Sequence, residues 1–191
     1  MNNKIKKNIL EYLPDYYYPS IFDIPYDFFV SKGINALIFD LDNTLLSSSD
    51  KYLDLRTLNK IKEIKKKFKI FILSNTFRNK LKRVLCSNFD VSYIYLKWYQ
   101  KKPCLYGFRQ ALNLLNVYHN QAIMIGDQLR TDILGAKKMK ILSILVNPIN
   151  KKSESVFSKF NRFFFEKPVI NYIKKKHYQI YIEKFKNFVD F

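Results

Sequence analysis

The 191-residue sequence contains only four glycines, six prolines, two cysteines and one tryptophan. Low glycine and proline contents argue against a disordered or collagen-like chain. A hydrophobic fraction of 48% suits a compact domain with a sizeable core. No apolar run approaches the roughly 20 residues that span a bilayer. The basic N-terminus has neither a continuous apolar core nor a small-residue cleavage site, so we predict no signal peptide and expect a cytoplasmic protein.

The two cysteines, Cys86 and Cys104, have neither metal-ligand spacing nor the pattern of a secreted disulfide framework. We interpret them as free thiols in a reducing compartment.

Acidic residues are scarce as well, with 16 Asp and Glu against 34 Lys and Arg and a formal net charge of +18. Such a charge favours a polyanionic partner, either nucleic acid or an anionic membrane surface. An AT-rich coding sequence is the alternative explanation, because it also produces abundant lysine, asparagine, isoleucine, phenylalanine and tyrosine.

Apolar runs alternate with amphipathic stretches through the middle of the chain. We predict strands at residues 35–40, 69–75, 91–97, 121–127 and 141–149, and helices at 53–68, 77–89, 103–116 and 128–139, with Pro103 in the first turn of its helix. This alternation is typical of βαβ units with right-handed crossovers. The prediction is an α/β fold, a three-layer, Rossmann-like, doubly wound parallel sheet over residues 34–149.

The two flanks differ from this core in composition. Residues 1–33 are rich in Tyr, Phe and Pro and predict turns and a short helix packed on the core. Residues 150–191 are basic and aromatic and predict helices with a break at Pro168. In that segment, aromatic and basic residues interleave at Phe157, Lys159, Phe160, Arg162, Phe163, Phe164, Phe165 and Lys167. Such a helix either binds a membrane interface or packs its phenylalanines on the core.

Polar residues cluster where the predicted strands end. They are Asp40 and Asp42 after the first core strand, Ser74 and Asn75 after the second, Lys102 before the third helix, and Asp127 and Asp132 after the fourth strand. Ligands of open parallel sheets bind beyond these strand ends. Singly, each acid has a plain structural explanation as a turn or capping residue, and Lys97 or Lys101 is an alternative to Lys102. Jointly, they predict one site.

The residue types indicate phosphoryl transfer. Asp40 is a candidate nucleophile that would form an aspartyl phosphate. Asp42 would protonate the leaving oxygen and then accept a proton from water. Asp127 and Asp132 can hold Mg²⁺, the hard cation that would offset the repulsion between carboxylate and phosphate, while Lys102 adds a positive charge.

Four stretches, "DLDNT" (40–44), "LSNT" (73–76), "KKP" (101–103) and "GDQLRTD" (126–132), resemble the four motifs of the haloacid dehalogenase (HAD) superfamily. The flanking "LPDYYYPSIFDI" (13–24) and "RFFFEKPV" (162–169) are similar to its YqeG-type branch, subfamily IIIA, which includes phosphatidylglycerophosphate phosphatases. The resemblance covers residues 34–149, and about 12–175 with these flanks. Thr76 departs from the branch, which usually has a second Asn there.

The resemblance implies a role for each matching residue. Asp40 would be the nucleophile and Asp42 the acid and base, and an acid at position 42 favours rapid hydrolysis of the intermediate. The remaining implied roles are Mg²⁺ binding by Asp40, the carbonyl of Asp42 and Asp127, phosphate binding by Ser74, Asn75 and Lys102, and support by Thr44 and Asp132.

We predict no cap domain of the kind common in the superfamily, because residues 45–53 are too few for a folded domain and residues 76–102 are filled by one helix and one strand. The resulting open cleft suits a large or surface-embedded substrate. We expect a Mg²⁺-dependent phosphatase that converts phosphatidylglycerophosphate to phosphatidylglycerol, peripheral at the inner face of an anionic membrane and without an obligate protein partner. The alternatives are a phosphatase acting on nucleic-acid ends or a phosphoprotein, and a non-catalytic basic binding module.

Overall fold

The computed structural model describes residues 9–85 and 91–188. One parallel sheet organises the fold, with the spatial order β1-β6-β5-β2-β3-β4. Its strands are β1 (Tyr16–Tyr18), β2 (Ala36–Phe39), β3 (Lys69–Ile72), β4 (Ser92–Tyr93), β5 (Ala122–Gly126) and β6 (Leu142–Val146). The chain leaves β2 in one direction towards β4 and returns to the other side through β5, so the predicted doubly wound α/β fold is confirmed.

Helices connect and cover the strands. The α-helices are α1 (Tyr26–Ser31), α2 (Leu55–Lys65), α3 (Arg78–Leu85), α4 (Leu105–Leu115), α5 (Leu134–Lys138), α6 (Val156–Asn161), α7 (Lys167–Lys176) and α8 (Tyr178–Lys184). Short 3₁₀ turns lie at Ile9–Tyr12, Trp98–Gln100, His119–Gln121 and Lys151–Ser153, and π-helical turns at Leu129–Ile133 and Arg162–Glu166.

The side chains of β2 explain the three layers. Leu37 and Phe39 join an apolar cluster with α1, α2 and α3, whereas Ala36 and Ile38 join a second cluster with α4 and α5. Successive residues of a strand point to opposite faces, so an entirely apolar strand must be covered on both. The continuous apolar run that predicted this strand therefore also required helices on each side of it.

The boundaries of several elements differ from the sequence prediction, among them β4, α4 and α3, and the predicted break at Pro168 is absent because this proline lies in the first turn of α7. The strand predicted at 91–97 is only Ser92–Tyr93, an edge strand that pairs with β3 alone and exposes both residues. The helix predicted from Pro103 begins at Leu105. The helix predicted at 77–89 begins at Arg78; its described part ends at Leu85, and residues 86–90, including Cys86, lie outside the described residues.

The N-terminal flank contributes a strand that the sequence pattern did not predict. Tyr16–Tyr18 extend the sheet at its edge by pairing with β6. The carboxylate of Asp15 accepts hydrogen bonds from the amide and hydroxyl of Ser143, each at 2.9 Å, and ties this strand to β6. Three successive tyrosines show no polar–apolar alternation, so the strand depends on its tertiary partner.

The C-terminal segment packs on the core through aliphatic residues of α7. Val169, Ile170 and Ile173 join a third apolar cluster with the turn after β5 and with β6. The phenylalanines of α6 and the following π-helical turn are instead 48–64% exposed at Phe157, Phe160, Phe163 and Phe164. Of the five phenylalanines, these four are therefore exposed rather than packed on the core, whereas Phe165 is partly buried.

No described helix combines the length and apolarity needed to cross a membrane. Residues 40–54, between β2 and α2, form turns without an inserted helix or sheet. The described residues between β3 and α4 form α3, β4 and one 3₁₀ turn. In the described parts of the chain, the connections that follow β2 and β3 therefore contain no cap domain.

Candidate active site

The candidate site lies where the winding of the sheet reverses, between the carboxyl ends of β2 and β5. Asp40 directly follows β2, and its amide donates to the carbonyl of Ile125 in β5 at 2.9 Å. Asp127 directly follows β5. Adjacent parallel strands with outgoing connections in opposite directions leave a crevice at this point. The fold thereby places two acids, distant in sequence, at the mouth of the same crevice.

Lys102 sits between two of the acids. Its Nζ lies 2.6 Å from Asp40 Oδ1 and 2.7 Å from Asp132 Oδ1, and the residue is only 4% exposed. Asn75 fixes the lysine's backbone, accepting from its amide at 2.7 Å and donating to its carbonyl at 3.0 Å. Asn75 therefore contacts the lysine-bearing loop in this structure.

The geometry separates the three lysines that were open from sequence. Lys101 Nζ lies 5.4 Å from the ring centroid of Phe77, and Lys97 Nζ lies 6.0 Å from that of Tyr99. Of these three lysines, Lys102 is the one paired with site acids in the described part of the chain.

Asp40, Asp127 and Asp132 form a compact buried cluster, in which each offers a carboxylate oxygen within 4.8 Å of the others. The hydroxyl of Thr44 donates to Asp127 Oδ1 at 3.5 Å. A Cβ on Gly126 would collide with the Asp132 carboxylate, so only glycine permits this close approach. Among the described residues, Asp132 Oδ1 has its ion pair with Lys102 and no hydrogen bond from any other donor. Such an acid-rich donor set fits a divalent cation.

Burial perturbs the ionisation of this cluster. Burial raises the pKa of Asp40 to about 7, although Lys102 acts in the opposite direction. Burial alone would lower the pKa of Lys102, but Asp132 and Asp40 outweigh it and raise that pKa to about 12. Burial also raises the pKa of Asp127 well above its usual value, against the effect of Arg162. The acids thus outnumber the cations that could stabilise their charge.

Asp42 and Ser74 lie beside the cluster. The partly exposed carboxylate of Asp42 pairs with Lys80 Nζ at 2.5 Å, and the same amine donates to the carbonyl of Ser48 at 2.8 Å. Ser74 is buried, and its Oγ accepts from the amide of Thr76 at 3.3 Å. The sequence reasoning missed Lys80, one of many lysines on the surface of a basic chain.

A second buried cation, Arg162, reaches the site from the C-terminal segment. Its Nη2 bonds Asp127 Oδ2, and its Nη1 lies 3.1 Å from the carbonyl of the same residue. Glu154 Oε1 accepts from Nε at 2.7 Å, and Glu166 Oε2 accepts from Nη1 at 3.1 Å. The sequence reasoning grouped Arg162 with the exposed basic residues. The isolated acids Glu154 and Glu166 in a basic segment, the second at i+4 from the arginine, were the available signal.

The comparisons with known proteins agree with this geometry. Residues 2–150 match the family described as Mitochondrial PGP phosphatase. A Bacillus subtilis protein named Probable phosphatase YqeG is 28% identical over 166 residues, covering 86% of this chain and 93% of that protein.

Two solved structures are similar as well. A HAD phosphatase from Thermococcus onnurineus is 15% identical, with a TM-score of 0.45 and coverage of 69% of this chain and 98% of that one. An uncharacterised protein from Listeria monocytogenes is 26% identical, with a TM-score of 0.48 and coverage of 63% and 81%.

The match to the family extends over most of the sequence, and the resemblance drawn from the four motifs is confirmed. The chain belongs to the mitochondrial PGP phosphatase family and is a phosphatase of the haloacid dehalogenase superfamily.

Proposed function

We propose that this phosphatase is Mg²⁺-dependent, forms an aspartyl phosphate on Asp40, and hydrolyses the phosphomonoester of phosphatidylglycerophosphate at an anionic membrane surface. The observation that carries the proposal is the buried cluster of Asp40, Asp127 and Asp132 with Lys102 at the reversal point of the sheet. The family description supports the choice of substrate.

The donor set at the site fits Mg²⁺. Asp40 and Asp127 would hold the ion together with the main-chain carbonyl of Asp42, and Asp132 would support the site. Oxygen ligands from carboxylates and carbonyls are those that Mg²⁺ prefers. When bound, the ion would neutralise the repulsion between carboxylates and phosphate and polarise a phosphoryl oxygen.

In the first step, a carboxylate oxygen of Asp40 attacks phosphorus, and the bond from phosphorus to the lipid glycerol oxygen breaks. Asp42, at the mouth of the crevice, turns from Lys80 and gives its proton to the leaving oxygen. Lys102 orients the nucleophile through its 2.6 Å contact and adds positive charge next to the transferred phosphoryl group. The hydroxyl of Ser74 contacts a phosphate oxygen.

In the second step, water attacks the phosphorus of the aspartyl phosphate, and Asp42 takes its proton. The bond between phosphorus and Asp40 breaks, releasing inorganic phosphate and restoring the free carboxylate. The same acid therefore donates a proton in the first step and recovers one in the second.

The outer face of the C-terminal segment supports a lipid substrate. Phe160 and Phe164 have ring centroids 4.4 Å apart, and Phe163 lies 5.0 Å from Phe164, so the exposed rings form a contiguous apolar patch. Lys159 and Lys167 flank this patch. Both also line a cavity of about 220 Å³, together with Lys151, Glu154, Arg162 and Phe163. Exposed aromatic rings next to lysines are typical of segments that lie in the interface of anionic membranes.

The test uses purified protein and vesicles that contain phosphatidylglycerophosphate. Wild-type protein with Mg²⁺ should release inorganic phosphate, and chelation should stop the release. Asp40→Asn should lower the rate by about 10³-fold or more, the scale on which loss of a covalent nucleophile acts. Asp50→Asn, an exposed acid of the same loop, is the matched control and should retain the wild-type rate.

Two outcomes would redirect the proposal. Wild-type protein that leaves this lipid intact but cleaves another phosphomonoester would refute the substrate while the chemistry stands. Preferential binding to RNA over anionic vesicles at matched salt would instead favour a phosphatase acting on nucleic-acid ends.

A further inference from the structure

We propose that Arg162 is a positioning residue, which orients the carboxylate of Asp127 so that its Oδ1 faces the metal ion. The inference rests on the metal site of the proposed function. It assigns a part in that site to the C-terminal segment, which lies beyond the residues matched by the family, 2–150.

Arg162 grips Asp127 at two points. One terminal nitrogen bonds Oδ2 of the side chain, and the other lies 3.1 Å from the main-chain carbonyl. Two contacts from one planar guanidinium to one residue fix both the position and the rotation of the carboxylate. With Oδ2 engaged in this way, Oδ1 remains for the cation, and the hydroxyl of Thr44 approaches it at 3.5 Å.

The charges around Arg162 keep Asp127 suitable as a ligand. A guanidinium paired with Asp127 alone would cancel the charge that attracts the metal. Glu154 at 2.7 Å and Glu166 at 3.1 Å share the same guanidinium, and both are buried. Arg162 therefore orients the carboxylate while the surrounding cluster retains a net negative charge for a divalent ion.

The local backbone explains how the segment places Arg162 inward. The hydroxyl of Ser155 accepts from the amide of Ser158 at 3.1 Å and begins α6. The π-helical turn Arg162–Glu166 then directs its first and last side chains into the protein and leaves Phe163 and Phe164 exposed. In this turn, the buried side chains are polar and the exposed side chains are aromatic. An ordinary surface helix has the reverse arrangement. A buried three-acid arrangement around one arginine is costly unless each bond is made, which indicates a specific role.

The test compares Arg162→Lys with Arg130→Lys. Arg130 is a matched control because it anchors the same segment, bonding Asn161 and lying 3.8 Å from the ring centroid of Phe165. Its side chain makes these contacts rather than any with Asp127. Titration calorimetry of metal-free protein with Mn²⁺, as a probe for the Mg²⁺ site, gives the dissociation constant without substrate.

We expect Arg162→Lys to raise the Mn²⁺ dissociation constant by about tenfold or more, the usual effect of removing a residue that orients a metal ligand. A lysine retains the charge but loses the planar fork. Arg130→Lys should stay within about twofold of wild type. Thermal unfolding of each variant shows whether it folds. If Arg162→Lys does not fold, the double variant Arg162→Gln/Glu166→Gln, which removes one charge of each sign, replaces it. The same rise in the Mn²⁺ dissociation constant is expected.

Three results would overturn the inference. Mn²⁺ binding by Arg162→Lys that equals or exceeds wild type would show that the arginine is dispensable or competes with the ion. Equal weakening in Arg130→Lys would reduce the effect to general docking of the segment. Absence of Mn²⁺ binding by wild type would remove the site altogether. A lack of phosphate release from lipid, by contrast, would affect the proposed function and not this measurement.

Discussion

Two buried cations, Lys102 and Arg162, meet the acids of neighbouring strand ends in different ways. The Lys102 ammonium forms ion pairs with Asp40 at 2.6 Å and with Asp132 at 2.7 Å. Arg162 directs its fork at Asp127, Glu154 and Glu166 together. The lysine comes from the core of the superfamily fold, and the arginine comes from the C-terminal segment.

Lys102 has donor capacity left for a substrate, whereas Arg162 is held in place by its partners. An ammonium is a compact point charge that can keep one hydrogen for an incoming phosphate oxygen. A guanidinium bonded on both terminal nitrogens and on Nε has little capacity left for substrate. In the proposed mechanism, this crevice uses one cation for chemistry and the other to fix the geometry of a metal ligand.

Removing the charge of Lys102 should have the largest effect, on the free energy of unfolding. Lys102→Met leaves Asp40 and Asp132 buried without their partner, which lowers the free energy of unfolding of metal-free protein by about 3–5 kcal/mol. Chemical denaturation in the presence of a chelator measures the loss. Arg162→Lys, which keeps its charge, should lose less. A fall below about 1 kcal/mol for Lys102→Met, typical of a surface pair, would contradict the comparison.

Substitutions among the exposed phenylalanines next to Arg162 should have a smaller effect, on membrane binding. Phe163→Ser/Phe164→Ser should weaken binding to anionic vesicles by about tenfold or more, because both rings lose the transfer into the interface. The melting temperature should change little, since both side chains are exposed. Vesicle sedimentation gives the partition, and Tyr118→Ser, exposed elsewhere, is the control. Unchanged sedimentation of the double variant would remove the membrane role from this patch.

Glu166→Gln should change the pH dependence of stability. Burial raises the pKa of Glu166 above its usual 4.5, against the effect of Arg162 and backbone amides. For a raised pKa, the stabilising contribution is complete below pH 4.5 and is lost as the pH rises through the folded-state pKa. The difference in free energy of unfolding should thus move in favour of the glutamine variant with rising pH, by at most about 1.4 kcal/mol per pH unit. Denaturation curves between about pH 4 and pH 8 would measure it; parallel profiles for the two proteins would be incompatible with a raised pKa.

The central part of the site was predictable because strand ends can be read from sequence. Continuous apolar runs located β2, β3 and β5, and parallel strands bring their carboxyl ends to one edge. Asp40, Asp127 and the residues at 74 and 75 follow directly from that rule. The predicted helix after Lys102 placed this lysine-rich loop at the same edge, but the choice among Lys97, Lys101 and Lys102 required the structure.

The rest required information that no local pattern contains. β1 is a strand only because β6 offers an edge to its three tyrosines. Arg162 had the spacing of a surface residue among lysines and phenylalanines, and its inward direction depends on Asp127, 35 positions earlier. An inverted helix, with arginine inside and phenylalanine outside, contradicts the periodicity rule that located the other helices.

The backbone turn between residues 162 and 166 carries a constraint on how this protein can diverge. Its inward Arg162 reaches Asp127 and its outward rings are exposed, so an insertion or deletion that adapted the outer side to another surface would rotate the arginine away from the crevice. A protein shortened to residues 1–150 would likewise retain all four motifs and yet leave Asp127 without its guanidinium. We expect natural variants to exchange the rings freely while preserving the length of this turn.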